Sequence, residues 1–336
     1  MAHRNYHEVA GETAIDCAVQ LGRKFGKIVR SYVDEEREAT DWRARQLLAE
    51  KYAAATRTHF PDYSNELEAY AEAARIPLMD LWAMMASEEI DAAERCTTVV
   101  ANGGKMVMHN EDWDADAIED ICVVKKTCNG FTSLELYYYG TPLGGTALTL
   151  CSRGYVQAIN SLSHTDRQIG VPKAVIARRL SALSNTDREL SEALTIPRAS
   201  GFCHNLVSRH GDVTSVECTA RHHAIQRPPL PFVHTNHILS MDLNRFEGDP
   251  DVKSTFKRFD AARALARSQM SKREVIALVD DQRSGKVASI FNRNTIARAI
   301  VDFDERQVAI WLAREPDREW INYSIDFMFD DSPLAV

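Results

Sequence analysis

From Ala14 to Tyr32 the apolar residues Ala14, Ala18, Leu21, Phe25, Ile28, Val29 and Tyr32 recur at intervals of three and four, with charged residues between them. That is the period of one face of a helix. A second stretch of this kind covers about 38–57, Pro61-Asp62 opens a third around Leu67, Tyr70, Ala71 and Ala74, and Pro77 precedes a fourth with Leu78, Leu81, Trp82 and Met85. Helices are therefore expected up to about residue 90. At Cys96 the period changes to that of a strand. Thr97 to Ala101 is rich in β-branched residues, Asn102-Gly103-Gly104-Lys105 is turn chemistry, and Met106 to Trp113 is extended again. The segment reads as a hairpin with Cys96 as the first residue of its first strand.

Further strands are expected at 121–126, 131–139, 146–152 and 155–161, followed by two helices at about 172–184 and 187–195. Strands at 205–208, 213–218 and 232–235, helices near 251–267 and 271–280, and a last group of strands over 295–325 complete the order. Runs of strands separated by paired helices predict an α+β fold in which helices cover stacked antiparallel sheets. No internal repeat or low-complexity tract interrupts it.

Composition narrows the classes of function. The chain has 336 residues, 45% hydrophobic and 26% charged, which suffices for a large core. A net charge of −8 with scattered Lys and Arg argues against a nucleic-acid partner. No apolar stretch follows the first residues, and no run approaches the roughly 18 apolar residues that span a bilayer. A cytoplasmic protein without membrane association is expected. Seven cysteines, an odd number spread along the chain, suit reduced thiols rather than a disulfide framework.

Cys96 and Asp114 are where chemistry first suggests itself. A short hairpin can bring a thiol at the start of one strand near a carboxylate just past the other. If the Arg95–Cys96 bond were broken, the new α-amino group, with an ordinary pKa near 8, would sit on the same residue as the thiol and could take its proton. Asp114 would then orient that amine, as the third member of a triad orients its base. Taken by themselves, these residues fit a buried small hydrophobe and a turn aspartate better than a catalytic pair.

The blocks Cys96-Thr97-Thr98, Trp113-Asp114, Gly154-Tyr155-Val156 through Asn160-Ser161-Leu162, Asn205-Leu206 leading to Val216-Glu217, and Val233-His234-Thr235-Asn236-His237 occur in one order. In them the sequence resembles the acyl-coenzyme A:6-aminopenicillanate acyltransferase family of self-processing N-terminal-nucleophile enzymes, from about Ser64 to about Pro316. The resemblance implies a four-layer αββα sandwich formed by residues 96–336, with the N-terminal helical segment, residues 1–95, packed against it and separated from it by self-cleavage between Arg95 and Cys96. It implies Cys96 as nucleophile, Asp114 as the carboxylate near its amine, Thr98 as a polar neighbour and Asn236 as an oxyanion donor. Members of the family commonly have glycine before the nucleophile, where this chain has Arg95. The family's late arginine falls on Asn292 or Arg293, and Arg293 is the candidate. The implied activity is hydrolysis of a linear N-acyl amide through a thioester on Cys96, without a cofactor. Acyl-coenzyme A-dependent N-acyl transfer by the same residues is one alternative, and an unprocessed, non-catalytic binding protein is another. The expected partners are the small-molecule amide, the chain's own cleaved N-terminal segment and a second copy in a homo-oligomer.

Other features carry less. Tyr137 and Tyr139, in the run Tyr137-Tyr138-Tyr139, fit a substrate wall as well as an edge strand. Asn160 fits a substrate-side amide as well as a turn. Cys218, His222, His223, His234 and His237 lie close in sequence but match no tight zinc spacing, so no metal is expected. Gly103-Gly104 and Gly144-Gly145 lack the pattern of a phosphate cradle. Arg178-Arg179 reads as a solvated helix face.

Overall fold

Helix α1 (Ala14–Glu36) starts where the periodicity places it because Thr13 and Asp16 cap it reciprocally: Asp16 N donates to Thr13 Oγ1 (3.2 Å) and Thr13 N donates to Asp16 Oδ2 (2.8 Å). The structure, a computed structural model, describes residues 2–90, 95–184, 186–249 and 252–330. Three more helices follow: α2 (Trp42–His59), α3 (Pro61–Ala74) with Pro61 in its first turn, and α4 (Leu78–Ile90). Two elements were not foreseen. Strand β1 (Tyr6–Gly11) precedes α1, and β10 (His223–Gln226) lies at a sheet edge. Both are short edge strands with little buried apolar surface, so the alternation that marks a strand is missing.

Strands β4 (Ile121–Cys128), β5 (Phe131–Tyr138), β6 (Leu148–Cys151), β7 (Tyr155–Ser161), β8 (Phe202–Ser208) and β9 (Val213–Cys218) join β1 and β10 in an eight-stranded sheet ordered β1-β4-β5-β6-β7-β8-β9-β10. Its pairings are antiparallel except β1 with β4, which is parallel. The segment before residue 95 thus adds a strand to the main sheet as well as helices. The second sheet has the order β11-β2-β3-β12-β13-β14, from β2 (Arg95–Ala101), β3 (Met106–Asp112), β11 (Phe232–His234), β12 (Thr295–Asp302), β13 (Gln307–Leu312) and β14 (Ile321–Ser324).

Strand alternation assigns each face its layer. Cys122, Val124, Tyr137, Tyr139, Tyr155 and Val216 of the first sheet pack under α1–α4, together with α5 (Lys173–Leu180) and α6 (Thr186–Thr195). Their neighbours Val123, Leu136, Leu150, Val156 and Val207 face the second sheet, where Val100, Val107, Ala299, Val301 and Ile310 meet them. On the far side Val99, Met108, Val233 and Ile300 pack against α7 (Val252–Leu265) and α8 (Lys272–Val279). The result is four layers, helix-sheet-sheet-helix. No helix among the described residues is long and apolar enough to cross a membrane.

The β2–β3 turn fixes one end of the inter-sheet space. Gly104 lies so close to the β8–β9 turn that a Cβ on it would stand 2.1 Å from Gly211 O, and Lys105 Nζ donates to Arg209 O at 2.7 Å. That end is closed by these backbone and side-chain contacts. The opposite end of β2 is where Cys96 sits.

Candidate active site

Register decides which side chains meet the Cys96 thiol. In the β2–β3 pair Cys96 stands opposite Glu111 and Thr98 opposite His109, so all four point into the space between the sheets. Cys96 is 1% exposed, and its Sγ lies 3.4 Å from Glu111 Oε2. Glu111 is fully buried. Its Oε2 meets His109 Nε2 at 2.7 Å, and its Oε1 accepts the Tyr138 hydroxyl at 2.8 Å. His109 Nδ1 lies 3.0 Å from Thr98 Oγ1, which donates to Asn160 Oδ1 at 2.9 Å. Asn160 Oδ1 also accepts Asn205 Nδ2 at 2.8 Å. A file of polar groups thus runs from the thiol across to the first sheet.

The backbone of Cys96 is held as tightly as its side chain. Its N–H donates to Asn236 Oδ1 at 2.9 Å and its carbonyl accepts Arg258 Nη1 at 2.6 Å. Arg258 is on α7 and has no exposed surface; it also donates to Thr97 Oγ1 (2.8 Å), to Asn236 Oδ1 (2.7 Å) and, through Nε, to Ser254 Oγ (3.1 Å). Two donors on Asn236 Oδ1 fix the amide's orientation, since the flipped amide would set its NH2 against both. Asn236 Nδ2 gives one proton to Ser161 O at 3.0 Å, which leaves a second N–H for a substrate oxygen.

Asn236 is itself held from two sides. β11 pairs with β2 so that His234 lies opposite Thr98. Beyond Asn236, the Glu217 carboxylate accepts Leu239 N (2.7 Å) and Ser240 N (2.8 Å) and meets His234 Nε2 at 2.9 Å. His234 Nδ1 lies 2.7 Å from Thr235 O, which can only accept, so both ring nitrogens carry protons. Burial, the largest single influence on this ring, favours its neutral form. The Cys203 sulfur and the Glu217 carboxylate override it and raise the pKa to about 10.

A group whose pKa is raised on folding stabilises the protein fully below its unfolded value, and that contribution is lost as pH rises toward the folded value. Between about pH 6.5 and 10 the protein is therefore expected to lose a few kcal/mol from this ring, at about 1.4 kcal/mol per unit. Denaturant titrations at pH 6.5, 8 and 9.5 check this. The wild-type stability should fall more steeply than that of His234→Gln, and equal slopes would refute the assignment.

The residues named from sequence do not all gather at Cys96. Thr98, Asn160 and Asn236 do. Asn160 Nδ2 is buried without a hydrogen-bond partner, in keeping with a substrate-side amide. Asp114 lies beyond the end of β3, exposed, with no side-chain capping bond. Alternation along β3 gives the face opposite Cys96 to Glu111, and Asp112 points the other way, toward Asn292 Nδ2 (2.8 Å) and Thr295 Oγ1 (2.5 Å). Burial raises the Asp112 pKa to about 6. Arg293 is exposed in the turn before β12, and Asn292 beside it is the residue that reaches β3. The arginine that reaches Cys96 is Arg258. Its sequence signal was available: Ser254, Arg258 and Ala262 form an inner stripe of α7 that no apolar reading explains. Tyr137 and Tyr139 face the helices, packed on Phe25, and only the middle tyrosine of the run, Tyr138, reaches the thiol's carboxylate. Of Arg95 the structure gives the strand backbone, paired with Asp112.

The histidine-rich stretch does not form one centre. His222 stacks on Phe246, His223 is exposed, Cys218 faces the helices, and His237 lies against Phe256 and Phe259. Among the described residues two compact sets of ligand-type atoms do occur, Cys96/His109/Glu111 and Cys203/Glu217/His234. Both carboxylates already accept several donors, and both ring nitrogens of His234 are spent as donors. Arg178 does not form a solvated face. It is 8% exposed, lies over Tyr63, and lines a cavity of about 170 Å³ beneath α1 and α3 with Glu66, Lys126 and Cys128.

The sequence pattern of the family described as acyl-coenzyme A:6-aminopenicillanic acid acyl-transferase matches residues 99–317, starting just after Cys96. No curated protein matches the chain in sequence. Among solved structures, penicillin V acylase from Agrobacterium tumefaciens aligns at 14% identity over 68% of this chain and 86% of its own, with a TM-score of 0.43. A variant of the conjugated bile acid hydrolase from Clostridium perfringens aligns at 10% identity over 69% of this chain and 92% of its own, with a TM-score of 0.42.

Proposed function

The chain belongs to the acyl-coenzyme A:6-aminopenicillanic acid acyl-transferase family, and from that premise we propose that it is a self-processing amidohydrolase that carries the acyl group of a linear N-acyl amide on Cys96. One observation supports this reading above the others. Both reactive atoms of Cys96 are separately positioned by side chains: Sγ by the buried Glu111, and the backbone nitrogen, which cleavage turns into the α-amine, by the half-buried Asn236. In the whole chain the thiol is buried and strand β2 continues through it. Separation of Arg95 from Cys96 ends the strand at the nucleophile and opens a way to it.

In turnover the α-amine takes the thiol proton, and the thiolate attacks the amide carbon. The free N–H of Asn236 meets the developing oxyanion, a contact of about 3–4 kcal/mol in the transition state. The ammonium protonates the leaving amine, and water resolves the thioester. An added amine acceptor in place of water would make the same site a transferase.

Quenched turnover with an N-acyl amide, followed by intact mass, tests this. The expected species is a fragment beginning at Cys96 that carries one acyl group, and free acid should accumulate. A chain that stays whole and never gains an acyl group would end the proposal.

A further inference from the structure

Before cleavage the α-amine does not exist. Cys96 N is then a peptide nitrogen whose lone pair is delocalised and whose N–H is given to Asn236 Oδ1, so it cannot take the thiol proton. Self-processing therefore needs another base at the thiol. We propose that this base is Glu111, held as a carboxylate by His109 and Tyr138, so that maturation and turnover use different bases on one nucleophile. The inference rests on the self-processing reading.

Hydrogen-bond accounting supports it. Asn205 Nδ2 also donates to Ala158 O, which fixes that amide, and so Asn160 Oδ1 is an acceptor that has no proton to give. Thr98 must spend its one hydroxyl proton on Asn160 Oδ1. Thr98 Oγ1 can then only accept from His109, which puts a proton on His109 Nδ1. The 2.7 Å contact between His109 Nε2 and Glu111 Oε2 holds one more proton. With the Tyr138 O–H and the Cys96 S–H, two donors and the proton shared with His109 converge on the Glu111 carboxyl group. Donors aimed at a carboxylate favour its charged form, and a buried carboxylate without them would be costly. Glu111 and its three partners all lie on strands, and the set is buried.

Glu111 takes the proton from Cys96 Sγ as the sulfur attacks the carbonyl carbon of Arg95. The tetrahedral adduct collapses with cleavage of the Arg95 C–Cys96 N bond, and the proton held by Glu111 passes to the leaving nitrogen. This gives a thioester between the Arg95 acyl group and Cys96 Sγ. Water then cleaves the thioester, which leaves the Arg95 carboxylate, the free thiol and the α-amine. No oxidant, reductant or cofactor is required.

Freshly made chain can be followed by intact mass over time at several pH values, for the wild type, Glu111→Gln, Glu111→Asp and His109→Gln, with circular dichroism and melting confirming the fold. A positioned general base contributes about 100- to 10,000-fold. Glu111→Gln is expected to split at least about 100-fold more slowly, with a flatter pH dependence. Glu111→Asp should keep part of the rate, and His109→Gln should fall between. If Glu111→Gln misfolds, Glu111→Asp and His109→Gln decide, because a purely structural role would not change the shape of the pH profile. Wild type and Glu111→Gln splitting at the same rate would overturn the inference and leave self-processing standing. A wild type that stays whole throughout would remove both.

Discussion

Cys96→Ala is expected to lower turnover of an N-acyl amide by about a millionfold, to leave the chain whole at residue 95, and to melt within a few degrees of the wild type. Removal of a covalent nucleophile costs that much because the remaining groups can bind and polarise the amide but cannot form the thioester. The structural cost is small. One sulfur atom leaves a buried site, which loses about 1 kcal/mol, and in a chain of this size that is a shift of a few degrees at most. Steady-state assays, intact mass and melting read the three effects separately. Retained turnover would disprove the nucleophile, whereas a collapse of the melting temperature would make the loss of activity uninformative.

The second large effect is at Arg258. Arg258→Ala is expected to destabilise the protein by about 3–5 kcal/mol and to reduce turnover by 100-fold or more. The guanidinium serves Cys96 O, Thr97 Oγ1 and Asn236 Oδ1 at once, and without it these buried acceptors lose a charged donor and a cavity opens. Asn236 would also lose one of the two contacts that orient its amide. Arg258→Lys should recover little, because a single ammonium cannot span the carbonyl and the amide as a planar fork does. Denaturant unfolding and kinetics on both variants check this. Wild-type kcat in Arg258→Ala would show that Arg258 only fills space.

Elements with a buried face were legible in the sequence, and those without one were not. Helices α1 to α4 and the hairpin from Cys96 announce themselves through period and turn chemistry, since packing one face against a core imposes that pattern. β1 and β10 pair through backbone at sheet edges, and backbone pairing leaves little mark on residue type. Ordered motif blocks singled out Cys96, Thr98, Asn160 and Asn236, which the structure brings together. The acid was placed at Asp114, whereas the thiol faces Glu111. A hairpin brings either one near Cys96 in sequence terms, and only the register and the two-residue alternation choose between them. The same alternation turns Tyr138 to the site and its two neighbours to the helices.

The sequence by itself determined the layer plan and the family, and put forward the cysteine, because these follow from local periodicity and from motifs that survive as short strings. The tertiary structure decided what surrounds that cysteine. Arg258 comes from a helix that packs on β2 and β11, far from Cys96 in sequence, and Asn236 is oriented by hydrogen bonds with three separate segments, two of which donate to its Oδ1 while Ser161 O accepts from its Nδ2. Contacts between segments distant in sequence are set by register and packing, which no single stretch of residues encodes.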